Sequence, residues 1–254
     1  EKDRKVLFCW LDTIYFKYSM KTLLVSFGDS WTFGSELDIP RERPWPVHLA
    51  NALDAESLNM GKPASSIGHL VVQLFDFIKN HYDSDRQTIF AVGLSGLTRY
   101  LSYSNADQEF VNITPEAVYK TSNIHPSGRP PEIVPQFNNY AQQTYRLVED
   151  SVYNEFLACQ AIFQFQQFCQ YNEIDCIFFS YFDQLTTDNF GHVLYKDLIY
   201  PTTITQALAG QEYSIPTIRT NEYFTGKLFH PNILGHKRIA EILKEFYDQK
   251  YPRN

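Results

Sequence analysis

The chain has 254 residues, 44% of them apolar and 16% aromatic, and carries a formal net charge of −7. That content supports a sizeable core, in one large α/β domain or two small ones. The acidic balance, without a concentrated Lys/Arg run, argues against a nucleic-acid face built on phosphate contacts. No apolar stretch approaches the roughly 18 residues of a membrane-spanning helix.

In chain order, residues 1–19 contain Trp10, Tyr15 and Phe16, but Lys5, Asp12 and Lys17 interrupt any continuous apolar run. The segment makes a poor secretory signal. Met20-Lys21-Thr22 leads straight into a core strand, so residues 1–19 are expected to be an N-terminal extension packed on the surface, with 20–254 forming a single domain. Cys9, Cys159, Cys169 and Cys176 lack CxxC spacing and sit mostly in apolar runs. They are expected to be buried free thiols, which fits a reducing, cytoplasmic compartment.

Residues 22–27 read as a buried strand. A helix with proline in its first turn is expected over 44–53, and a short second strand over 56–60, stopped by Gly61. Ser65 or Ser66 caps a helix whose apolar positions Leu70, Leu74, Phe77 and Ile78 follow a helical period. A third strand spans 87–94 and stops near Gly96. Residues 100–140, with Pro126, Pro130, Pro131 and Pro135, read as an insertion or lid with little regular structure. A long amphipathic helix is expected from about 140 to 171, then a fourth strand over 174–181, a loop-rich stretch over 183–228, and a last helix over 233–247.

Strands that alternate with helices and are apolar on both faces imply a parallel sheet covered on both sides. The C-terminal ends of such strands share one edge, where ligands bind. Ser30 follows the first strand, in Gly28-Asp29-Ser30, and the Gly61–Ser66 and Gly93–Gly96 turns follow the second and third. All three are expected at that edge. There Ser30 is either a nucleophile or merely a helix cap, and Asp29 orders the turn. His230 lies in Phe229-His230-Pro231-Asn232, a loop running into the last helix. It is a candidate general base, or else a surface histidine capping that helix. His236 reads as structural, because six residues from His230 is a poor helical spacing for a metal pair and no third ligand is evident.

With those turns and the histidine loop in place, the chain resembles the SGNH (GDSL-type) hydrolases, a family of esterases, lipases and carbohydrate deacetylases. Gly28-Asp29-Ser30 is similar to the family's first block, and Asn59 through Ser66 to its second. His230, with Pro231-Asn232, Gly235-His236 and Ala240, is similar to its last block. The resemblance covers roughly residues 22–245 and implies a flavodoxin-like three-layer α/β/α fold with a parallel sheet of about five strands. It implies Ser30 as nucleophile, His230 as base, and an oxyanion hole from the Ser30 N–H, a backbone N–H at Gly61 or Ala64, and a third donor. Ser95 stands where the family has the Asn that supplies that donor, and Lys227 stands where the family has the Asp three residues before the histidine.

Asp183 is the first choice for the acid orienting His230, ahead of Glu222, with Asp188 also in reach; a dyad held by a backbone carbonyl is the alternative. Arg99 and Trp31 are the candidate substrate contacts, Arg99 alternatively forming a salt bridge. The expected function is hydrolysis of a carboxylic ester, from a small molecule or an O-acetylated carbohydrate, with no metal or organic cofactor. The rival is a catalytically weakened protein of this fold that binds glycan or a partner through its aromatic insertion.

Overall fold

The computed structural model describes residues 20–38, 43–96, 99–104, 109–113, 151–182, 185, 189–210, 221–224 and 230–252. Five strands form one parallel sheet: β1 (Leu23–Phe27), β2 (Glu56–Asn59), β3 (Thr88–Leu94), β6 (Asp175–Ser180) and β7 (Ile199–Thr203), in the order β2-β1-β3-β6-β7. Val25 pairs with Leu58 on one side and Phe90 on the other, and Val92 pairs with Phe178, so the three inner strands end at one level.

Strand alternation divides the core in two. Leu24, Ile89, Ala91, Ile177 and Phe179 point to the face covered by α2 (Trp45–Ala52), α5 (Ile204–Ala209) and α6 (Ile233–Lys250). Val25, Phe27, Phe90, Val92 and Phe178 point to the face covered by α3 (Ile67–Asn80) and α4 (Ser151–Tyr171). On that second face Phe27 meets Phe90 and Phe165 edge-on, both at 4.9 Å between ring centroids. Each such side chain contributes roughly 1.5–3 kcal/mol on burial. The expected three-layer parallel α/β architecture is the one found.

Several elements differ from their expectation. β7 lies in the stretch expected to be loop-rich. It is a short edge strand, half-exposed and interrupted by Pro201, so it lacks the continuous apolar run that marks a buried strand. Within residues 100–140, β4 (Tyr100–Ser104) and β5 (Glu109–Ile113) pair antiparallel, where irregular chain was expected. β4 packs tightly on the first turn of α3: a Cβ on Gly68 would lie 3.0 Å from Leu101 Cβ.

The long helix is described from Ser151, and its exposure is not the simple amphipathic one expected. Tyr153, Phe156 and Phe163 are exposed, while Asn154, Glu155 and Gln166 are buried. Two of those buried groups are anchors. Glu155 accepts from the Asn189 N–H, the Asn189 side chain and the Phe190 N–H, and Gln166 exchanges two hydrogen bonds with the Tyr195 backbone. Cys159, Cys169 and Cys176 are free and buried. Among the described residues no helix is long and apolar enough to cross a membrane. The expected extension over 1–19, Cys9, and the rest of the insertion (105–108 and 114–140) lie outside the described residues.

Candidate active site

β1 ends at Phe27, and the chain turns at Gly28, whose φ of +154° is glycine territory. A Cβ there would come within 2.0 Å of Thr32 Oγ1. Gln73 of α3 grips the same residue on both sides, accepting from the Gly28 N–H (3.1 Å) and donating to the Gly28 carbonyl (3.0 Å). The following residue, Asp29, is fully buried and uses both carboxylate oxygens. Oδ1 accepts the Trp31 N–H at 2.9 Å, capping the four-residue helix α1 (Ser30–Phe33), and Oδ2 accepts from the Arg99 guanidinium at 2.8 Å. Ser30 therefore sits at the C-terminal edge of the sheet, first in α1, on a turn fixed from three directions. It is 8% exposed.

Behind the turn a buried hydroxyl network anchors α1 to the sheet. Thr32 Oγ1 lies 2.6 Å from the Tyr181 hydroxyl, which also accepts from Trp45 Nε1 at 3.0 Å. Burial and the neighbouring Asp29 charge push the Tyr181 phenol well above its usual range, so it stays neutral. Gly93 leaves room for that ring: a Cβ there would lie 2.5 Å from the Tyr181 oxygen.

The histidine loop reaches the same turn. Phe224 and Pro231 form a β-bridge, and Asn232 ties the loop with three bonds. Its N–H donates to the Tyr223 carbonyl (2.9 Å), its side-chain amide to the Glu222 carbonyl (2.6 Å), and its Oδ1 caps α6 through the Gly235 N–H (3.0 Å). Phe224 packs on Trp31, 5.6 Å between ring centroids. His230 lies at the start of this loop with Nδ1 3.0 Å from Glu36 Oε2; the two side chains are 15% and 19% exposed. Among the described residues no hydrogen bond joins Ser30 Oγ to His230.

Among the described residues the carboxylate on His230 Nδ1 is that of Glu36. Asp183, like Asp188 and Lys227, lies outside the described residues, and Glu222 contributes its backbone carbonyl to Asn232. Glu36 lies 194 residues from His230, and nothing local in the sequence marks it beyond its place shortly after the Ser30 turn.

Of the other expected residues, Gly61 donates its N–H to Asn59 Oδ1 at 2.9 Å, so that N–H is already used. Gly61 is instead a packing glycine, with Phe33 N 2.6 Å from where a Cβ would be. Ala64 adopts the left-handed φ of +61°, which explains why the resemblance places glycine there. The N–H groups of Ala64 and Ser30 donate to no described residue. The two loops touch through the Lys62 N–H, which donates to the Gly28 carbonyl at 3.1 Å. Ser95 is 1% exposed, and among the described residues its hydroxyl has no hydrogen-bond partner.

The two expected substrate contacts are placed otherwise. Trp31 is 2% exposed, packed against Tyr181, Phe182 and Phe224, and is a core residue. Arg99 holds Asp29 and the Ser65 carbonyl, so its charge is balanced within the fold. His236 is structural: fully buried, its Nδ1 accepts the Trp45 N–H at 3.1 Å. Among the described residues no group of His, Cys, Asp and Glu is placed to hold a metal ion. A cavity of about 670 Å³ opens at the opposite, N-terminal edge of the sheet, between Thr22, Gln87, Asp175 and Lys250, where no serine and histidine are paired.

No protein-family model matches the chain, and no curated protein does. Solved structures do. An acetyl xylan esterase from the rumen bacterium Butyrivibrio proteoclasticus matches at 12% identity over 91% of this chain, with a TM-score of 0.47. A carbohydrate esterase described as having divergent catalytic and non-catalytic binding functions matches at 11% identity over 92%, with a TM-score of 0.46. A protein described as lipolytic and of the G-D-S-L family, from Desulfitobacterium hafniense DCB-2, matches at 12% identity over 88%, with a TM-score of 0.38. The chain spans 64%, 67% and 98% of those three chains, respectively.

Proposed function

We propose that the chain is a carboxylic-ester hydrolase of the SGNH type that works through an acyl-enzyme on Ser30. The observation that supports this reading is that the His230 loop packs through Phe224 on Trp31, next to Ser30 on a turn locked by Gln73 and Arg99, and that His230 Nδ1 is engaged by Glu36, six residues after Ser30. In the proposed reaction Nε2 of His230 takes the proton of Ser30 Oγ as the oxygen attacks the ester carbonyl. The oxyanion is received by the Ser30 and Ala64 N–H groups, with the Ser95 hydroxyl as a third donor in place of an amide. His230 returns the proton to the leaving alcohol. It then activates the water that releases the acid. In this reading the Ser30–His230 hydrogen bond forms only once substrate is bound. Short-chain esters and O-acetylated carbohydrates are the proposed substrates.

A second reading, binding without hydrolysis, draws on the absence of a Ser30–His230 hydrogen bond among the described residues. Turnover of p-nitrophenyl acetate and butyrate separates the two. The hydrolase reading expects wild-type turnover that Ser30→Ala abolishes with almost no change in unfolding midpoint. A variant that keeps more than a tenth of the activity removes Ser30 as nucleophile, and a wild type that turns over neither ester favours the binding protein.

A further inference from the structure

Resting on the hydrolase reading, we infer that Glu36 is the carboxylate that sets the tautomer of His230, so that nucleophile and orienting acid come from one short loop. A Ser-His-acid arrangement needs a group on Nδ1 of the imidazole. If Nδ1 carries the proton and donates it to a carboxylate, Nε2 presents a lone pair; in the opposite tautomer Nε2 is protonated and cannot act as a base. Glu36 Oε2 lies 3.0 Å from Nδ1, within range of a charge-assisted hydrogen bond. Both side chains are more than four-fifths buried, so solvent screens the pair less than it would a surface pair.

The backbone holds Glu36 at that point. α1 ends at Gly34 in the left-handed conformation, and the N–H groups of Gly34 and Ser35 both donate to the carbonyl of Ser30 itself. Glu36 follows with φ of +66°, an uncommon conformation for a residue with a side chain, and Leu37, at 8% exposure, pins the chain after it. The Glu36 carboxylate and the Ser30 hydroxyl thus leave the same turn, and His230 is tied opposite them by Asn232 and the Phe224–Pro231 bridge.

Asp29, beside Ser30 in the sequence, has both of its oxygens committed, to the Trp31 N–H and to Arg99. The position three residues before His230 holds a lysine, which cannot accept the Nδ1 proton. In the reaction the proton of Ser30 moves to Nε2, the resulting imidazolium is balanced by the Glu36 carboxylate, and the proton leaves with the alcohol. Glu36 itself is never protonated.

The test reads the imidazole directly. Long-range ¹H–¹⁵N spectra of the ¹⁵N-labelled chain at about pH 9, where a free imidazole is neutral, report which nitrogen carries the proton. The His230 signal is identified by its loss in His230→Gln. Wild type and Glu36→Asp are expected to show a proton on Nδ1, and Glu36→Ala a shift toward the Nε2–H form. On p-nitrophenyl acetate, Glu36→Ala is expected to lower kcat by a factor on the order of 10³–10⁴ with little change in KM, and Glu36→Asp to recover part of it. A wild-type His230 protonated on Nε2 overturns the assignment, as does a Glu36→Ala variant with unchanged spectrum and kcat. If the wild type hydrolyses no ester, the hydrolase reading fails, while the spectra still decide whether Glu36 orients His230.

Discussion

Asp29 shows how a single side chain fixes the turn that carries the proposed nucleophile. Its two oxygens join the N-terminus of α1 to Arg99, which in turn holds the Ser65 carbonyl, so three loops share one buried carboxylate. Arg99→Met leaves that charge buried with one partner fewer. The expected loss is about 3 kcal/mol in chemical denaturation, the low end for a broken buried pair because the Arg99 side chain is 18% exposed. Arg99→Met combined with Asp29→Asn removes the charge and is expected to cost less than Arg99→Met alone. A double variant as unstable as the sum of the two single ones would show that they are not a coupled pair. The places of Ser30 and His230 are legible in the sequence because each lies in a local pattern, a strand end entering a helix and a loop with an Asn cap. The partners that hold them are not. Gln73, Arg99 and Glu36 lie 45, 70 and 194 residues from Gly28, Asp29 and His230. Trp31, one helical position after Ser30, is turned into the core, which its place in the sequence does not reveal.

At the scale of elements, the inner strands β1, β3 and β6 are visible as nearly continuous apolar runs, because a strand buried on both faces tolerates little else. The edge strand β7 and the β4–β5 pair were not, since an edge strand needs no apolar run. Helix α6 carries the placement of His230. Its N-terminal turn presses on the 221–224 segment so closely that a Cβ on Gly235 would lie 2.2 Å from the Tyr223 carbonyl oxygen. Tyr223 also receives the Asn232 N–H, so Gly235→Ala pushes on the bond that sets the loop. The expected cost is about 1–3 kcal/mol of stability, with a fall in kcat larger than the stability change explains, because His230 moves with the loop. Equal stability and turnover in Gly235→Ala would show that the loop relaxes freely.

Over the whole molecule, two buried histidines couple the fold to pH. Burial, followed by the charges of His48 and His230, lowers the pKa of His236 to about 3 from an ordinary 6.5. Burial and then Lys62 lower that of His69 to about 4. Below pH 6.5 the unfolded chain binds protons that the folded chain refuses, so stability falls as pH drops. The contribution is complete above about 6.5 and erodes down to about 4 for His69 and about 3 for His236. His236→Asn, whose side-chain oxygen can still accept the Trp45 N–H, is expected to lose roughly 2–3 kcal/mol less than wild type between pH 7 and 4.5. The same pH slope in both proteins would contradict the buried neutral imidazole. The most direct test of the central claim is intact-protein and peptide mass spectrometry after treatment with a serine-directed phosphonate. The account predicts one adduct per chain, on Ser30, absent in Ser30→Ala and slowed in His230→Gln. An adduct on another serine, or a wild type that stays unlabelled, would contradict it.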